Sequence, residues 1–141
     1  MILYADTSAL VKLYVEEVES DRVRRLVEAA NSVHTARVSY VEARAAFARR
    51  NREGGLTTRE RRGVVRNLDA EWNHFGVVEL TGALARRAAA LAERRALRGY
   101  GAIQLASALT LRDAGAPVEF ACFDERLNAA ARAERLALAN P

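Results

Sequence analysis

Met1-Ile2-Leu3-Tyr4-Ala5-Asp6-Thr7-Ser8 is the stretch on which the reading of the whole chain turns. Ile2 to Ala5 form an apolar run of strand length without alternation, the pattern of a strand buried on both faces in a parallel sheet. Asp6 closes the run, and Thr7 to Val15 read as a helix. A lone Asp at such a junction is first of all an N-cap. It also stands where open α/β sheets place their ligand crevice, at the carboxyl end of a strand.

The same arrangement returns near the other end. Val118 to Phe123 read as a strand, Asp124 follows it, and Glu125 to Ala131 read as a helix. Between these two points strand and helix patterns alternate. The expected strands are Ser32–Ala36 and Gly76–Leu80, with a short last one over Leu136–Leu138. The expected helices begin with one carrying Val23, Leu26, Val27 and Ala30, capped by Ser20, and a second over about Val38 to Arg52. A helix capped by Thr57 runs to about Phe75, another capped by Thr81 runs to Leu97 with Gly99 ending it, and one opens at Ala102. Such alternation predicts a mostly parallel sheet between two layers of helices, a three-layer α/β/α sandwich. The 141 residues suit one domain, 1–141.

Half of the residues are hydrophobic and 28% are charged, as in globular proteins. No run approaches the roughly 20 apolar residues of a membrane span. No charged flank precedes Ile2, so no signal peptide is evident. Cys122 is the only cysteine and sits in a strand pattern, which predicts a buried, inert thiol and a reducing, cytoplasmic setting. The net charge of +4 is carried almost wholly by arginine, with Lys12 the only lysine. Arginine forks match phosphate oxygens, although an Arg-rich genome gives the same count. His34 and His74 are the only histidines, and no zinc-ligand spacing arises.

A third acid lies in Ser39-Tyr40-Val41-Glu42-Ala43. Glu42 sits beside the stripe of Val38, Val41, Ala45 and Ala48, and Ser39 with Glu42 also has the spacing of a capping box. The carboxyl ends of parallel strands share one edge, so Asp6, Glu42 and Asp124 can converge within one metal's reach. Converging carboxylates repel unless a cation joins them. Oxygen ligands without His or Cys favour Mg²⁺ or Mn²⁺, ions that activate water and clamp the phosphate in phosphodiester hydrolysis.

Four blocks together resemble the PIN-domain family, and within it the VapC toxins of bacterial toxin–antitoxin pairs. They are Asp6 to Tyr14, Ser39 to Ala43, Leu97-Arg98-Gly99-Tyr100 with Ala102 to Ala108, and Phe123 to Leu127. The resemblance spans essentially the whole chain. It implies a Mg²⁺- or Mn²⁺-dependent endoribonuclease acting on structured RNA of the tRNA or rRNA class, a homodimer, and a cognate VapB-like antitoxin whose tail blocks the site. Asp6, Glu42 and Asp124 match three of the family's acids, and Thr7 or Ser8 its neighbouring hydroxyl. Gly101 stands where the family motif has an aspartate, which marks either a degenerate member or an inactivated copy of a harmful toxin. The alternative is a silent module that binds RNA or an antitoxin without cleaving. A receiver domain is set aside, because it needs paired acids after the first strand and a late lysine. Arg44, Arg49, Arg59 and Arg98 are the arginines expected to ring the acidic centre and draw RNA to it.

Overall fold

A computed structural model describes residues 1–140. Its centre is a five-stranded sheet in the order β3-β2-β1-β4-β5, parallel throughout. The strands are β1 (Ile2–Ala5), β2 (Ser32–Ala36), β3 (Gly76–Val78), β4 (Val118–Ala121) and β5 (Ala137–Leu138). The helices are α1 (Thr7–Tyr14), α2 (Ser20–Ala29), α3 (Arg37–Arg52), α4 (Thr58–Glu71), α5 (Gly82–Arg95), α6 (Gly99–Asp113) and α7 (Glu125–Ala133). A 3₁₀ turn over Trp72–His74 finishes α4.

The chain winds outward from β1 through β2 to β3, then returns to lay β4 against the other side of β1. The strand order therefore reverses between β1 and β4, and the crevice beyond their carboxyl ends is where such sheets bind ligands. Tyr4 and Phe120 face one layer, packing with α5, α6 and α7 through Leu84, Leu91, Leu105, Leu109, Leu127 and Ala131. Leu3, Ala5 and Ala121 face the other, against Ala9, Leu26 and Val27. Leu10, Val11, Phe47 and Leu68 form a further cluster that knits α1, α3 and α4 together. Complete burial of Leu3, Tyr4 and Ala5 explains the unbroken apolar run that marked this strand in the sequence.

Several boundaries differ from the sequence reading, each for a local reason. Helix α3 starts at Arg37, so Ser39 and Glu42 lie inside it and form no capping box; Ser39 is buried and bonded to Thr35 instead. Helix α5 stops at Ala96, a left-handed residue whose N–H, with that of Leu97, returns to the Ala92 carbonyl. Gly99 therefore opens α6 rather than ending α5, and Gly101 lies in the first turn of α6. Ser20 lies just inside α2, with left-handed Glu19 as the cap. The capping box of Thr57 with Glu60 and the cap by Thr81 form as expected. Among the described residues no helix is long and apolar enough to cross a membrane.

Candidate active site

Asp6 and Asp124 flank the point where the strand order reverses, and both cap the helix that follows. Asp6 Oδ1 accepts from the Ala9 N–H at 3.1 Å, and Asp124 Oδ1 from the Leu127 N–H at 3.1 Å. Each cap bond falls on one carboxylate oxygen, so capping and a second role are compatible. Glu42 reaches the same place from the second turn of α3. A cavity of about 540 Å³ is lined by all three acids. Thr7, Ser8, Arg98, Gly101, Gln104 and Arg126 complete most of its wall.

The acids differ in environment. Asp6 is only 5% exposed, whereas Asp124 is open to solvent and Glu42 lies between them. Burial holds the Asp6 carboxyl above its usual range, and the Glu42 charge pushes the same way. Bonds from the Ser8 hydroxyl, the Cys122 thiol and the Ala9 N–H oppose that shift. Ser8 sits 2.6 Å from Asp6 Oδ1 and accepts the Phe123 N–H at 2.9 Å, so its hydroxyl ties the ends of β1 and β4 together. The Thr7 hydroxyl donates to Glu42 Oε1 at 2.8 Å. Both hydroxyls singled out in the sequence thus contact an acid, each a different one.

The three acids line one cavity, yet no three His, Cys, Asp or Glu side chains among the described residues are gathered closely enough to hold a single ion. The donor set still suits a hard cation. Its oxygens are carboxylate, a buried acid has a second negative charge beside it, and Mg²⁺ is commonly held by one or two carboxylates and its own waters.

The arginine rim differs from expectation. Arg98 lines the cavity, and Arg126, which is not among the arginines expected to ring it, joins it. Arg44 instead donates to the Tyr40 hydroxyl at 2.8 Å and lies over that ring. Arg49, about 10 Å further along α3 than Glu42 at 1.5 Å per residue, pairs with Glu53. Arg59 is exposed on the first turn of α4 and does not line the cavity. Arg126 was hidden among many arginines, although its place two residues after Asp124 was a usable signal. Gln104, 2% exposed and 2.9 Å from Glu42 Oε1, is the other site residue the sequence did not reveal. Cys122 is fully buried against Asp6, and burial pushes its thiol far up, as expected of an inert cysteine. His34 is half-buried on β2, away from the cavity lining.

The PIN domain model matches residues 3–133, nearly the entire chain. The protein belongs to the PIN-domain family. It is 37% identical over 132 residues to Ribonuclease VapC49 of Mycobacterium tuberculosis, an alignment covering 94% of this chain and 90% of that one. This PIN-domain chain also shares its fold with solved structures of low sequence identity. VapC20 of M. tuberculosis, a toxin described as cleaving the sarcin–ricin loop, matches with a TM-score of 0.66 and 20% identity, covering 91% of this chain and 94% of its own. A toxin–antitoxin complex from Klebsiella pneumoniae matches with a TM-score of 0.64 and 17% identity, covering 88% and 87%. The PIN domain's acids are therefore set in an architecture shared with VapC toxins.

Proposed function

We propose that the chain is a VapC-like endoribonuclease toxin acting in the cytoplasm on structured RNA of the tRNA or rRNA class. The observation that carries this reading is the convergence of Asp6, Glu42 and Asp124 on one cavity edged by Arg98 and Arg126. The 37% identity to a ribonuclease supports the same class of chemistry. Asp6 and Asp124, with Glu42 beside them, would hold a Mg²⁺ or Mn²⁺ ion. When bound, such an ion neutralises phosphate charge and makes a water easier to deprotonate.

The chain's own groups supply the rest. Arg98 and Arg126 attract the phosphate backbone toward a centre that would otherwise repel it. Glu42, with one oxygen bonded to Thr7 and Gln104, has the other available to accept a proton or orient water. Burial of Asp6 excludes bulk water from one side of the cavity. A homodimer and an antitoxin that inserts a cation among the acids are part of the same reading, since a guanidinium relieves the repulsion a metal would.

Gly101 favours a second reading, a module that binds RNA or an antitoxin without cutting, because the cavity wall lacks a carboxylate there. The two are separated by incubating the chain with structured RNA while titrating Mg²⁺ and Mn²⁺, with Asp6→Asn as control. Metal-dependent cleavage lost in Asp6→Asn supports the nuclease. Binding without cleavage at any metal concentration supports the silent module.

A further inference from the structure

Tyr4 lies at the centre of the sheet, fully buried and stacked on Phe120 with ring centroids 5.7 Å apart. Its hydroxyl donates to Gln104 Oε1 at 2.6 Å. The Glu42 carboxylate, which only accepts, decides which way the Gln104 amide faces, and the Tyr4 proton then satisfies the amide oxygen on the other side. Reversed, the amide would set its oxygen against the Glu42 carboxylate and its NH₂ against the phenol. As found, Nε2 points at three acceptors: Glu42 Oε1 and Ser39 Oγ at 2.9 Å, and Thr7 Oγ1 at 3.1 Å.

The proton count around this amide closes. Thr35 Oγ1 is 2.7 Å from both the Ala5 carbonyl and Ser39 Oγ. A carbonyl only accepts, so the one Thr35 proton belongs to Ala5 and the Ser39 proton completes the other bond. Ser39 is then left as an acceptor for one Gln104 N–H. The Thr7 proton is committed to Glu42, so the second Gln104 N–H falls to Glu42 Oε1 and the Thr7 lone pair beside it. Glu42 Oε1 thus carries two donors. Glu42 Oε2 has none among the described residues, on a side chain that lines the cavity.

We infer that Gln104 is a positioning residue for Glu42, its amide oxygen held by the buried Tyr4 hydroxyl so that the carboxylate offers one defined oxygen to the cavity. The inference rests on the metal-dependent ribonuclease reading and names what holds that site in shape. Five elements contribute: β1 through Tyr4, α1 through Thr7, β2 through Thr35, α3 through Ser39 and Glu42, and α6 through Gln104. A network whose members are all satisfied rigidifies, whereas an orphaned member in a buried setting disorders its neighbours.

The test uses the full chain with Gln104→Met, Tyr4→Phe and the double substitution. Tyr4→Phe keeps the ring that stacks on Phe120, so the fold is preserved while the Gln104 amide oxygen loses its donor. Mn²⁺ affinity is measured by calorimetry. Gln104→Met should weaken it by about 10–100-fold, the usual effect of losing a group that supports a ligand. Tyr4→Phe should weaken it by less, and adding Tyr4→Phe to Gln104→Met should change nothing further. Unchanged affinity in Gln104→Met, or independent effects that multiply in the double variant, would overturn the inference. If even the unsubstituted chain takes up no Mn²⁺, the metal reading has failed, and Gln104 is judged from a crystal structure of Gln104→Met. A Glu42 carboxylate turned away or split between rotamers then upholds the positioning role. One still bonded to Thr7, with Oε2 unmoved, overturns it.

Discussion

The Thr7 hydroxyl donates to Glu42 Oε1 across 2.8 Å, joining residues 35 positions apart in the chain. The bond links the first turn of α1 to the second turn of α3 at the carboxyl edge of the sheet. A hydrogen bond to a charged group contributes about 1.5–3 kcal/mol, and partial solvent access places this one near the low end. Thr7→Val should therefore lower unfolding stability by about 1.5 kcal/mol, while Thr7→Ser, which keeps the hydroxyl, should stay near the starting value. Urea unfolding midpoints decide it. Loss in Thr7→Ser with none in Thr7→Val would mean that the methyl, rather than the hydroxyl, matters.

Arg98 and Arg126 edge the acidic cavity, and each should contribute a phosphate contact. Replacing either by Ala should weaken RNA binding across sequences and flatten the dependence of log affinity on log salt by about 0.7, the value per phosphate for a single strand. Arg49→Ala is the control, because Arg49 is occupied with Glu53 away from the cavity. Filter binding at several salt concentrations gives the slopes. An unchanged slope in both cavity variants would remove them from the RNA path.

Asp6 and Asp124 were legible because each ends a buried strand and opens a helix, a pattern that needs no tertiary knowledge. Glu42 was legible as an acid beside an apolar stripe, although its spacing from Ser39 imitated a cap that the early start of α3 rules out. Gln104 was not legible: its role depends on Tyr4, 100 residues away in sequence and adjacent only once α6 packs on β1. The start of α6 is hard to read because Gly99 and Gly101 look like punctuation in sequence. The left-handed conformation that ends α5 falls on Ala96, a residue that carries no such signal. The arginine rim was half legible. Local spacing says which face of a helix an arginine shares, and says nothing of which neighbour will claim its guanidinium.

Glu134 at the end of α7 receives Arg94, at 2.8 Å, and Arg95, both from the last turn of α5. Its side chain is 15% exposed. Its backbone carbonyl also accepts from Arg112 of α6. Arg94 first, and Arg95 with it, hold the Glu134 carboxyl below its usual range. A folded-state pKa below the unfolded one adds stability that is complete above the unfolded value and fades as pH falls through the folded one. Glu134→Gln should thus lower stability at pH 7 by about 1 kcal/mol, given that both arginines reach solvent, and the difference should vanish in acid. Melting temperatures of the two chains from pH 7 to pH 3 should converge; a gap that persists at pH 3 would assign the loss to packing.

The last prediction concerns Gly101, which faces the cavity from the first turn of α6. Nothing local requires glycine there. Its backbone is not among the left-handed residues, and an added Cβ would meet Leu127 methyls at 3.7 and 3.9 Å, ordinary contact distances. Glycine inside a helix costs roughly 0.5–1 kcal/mol relative to alanine, and a carboxylate in the first turn gains about 0.3–1 kcal/mol from the helix dipole. Gly101→Ala should therefore raise the melting temperature, and Gly101→Asp should do so once a divalent cation offsets the repulsion from Asp6, Glu42 and Asp124. Only Gly101→Asp adds an oxygen ligand to a cavity whose present acids are not gathered into a three-ligand cluster. It should tighten Mg²⁺ or Mn²⁺ binding by at least the roughly 10–100-fold that a supporting group contributes, and raise RNA cleavage with it. Calorimetry with each ion and cleavage of total cellular RNA compare the two variants with the chain as it stands, with Asp6→Ala as the inactive control. If the unsubstituted chain already cleaves as fast as Gly101→Asp in a metal-dependent way, Gly101 is no lesion, and Asp6, Glu42 and Asp124 form the complete acidic site.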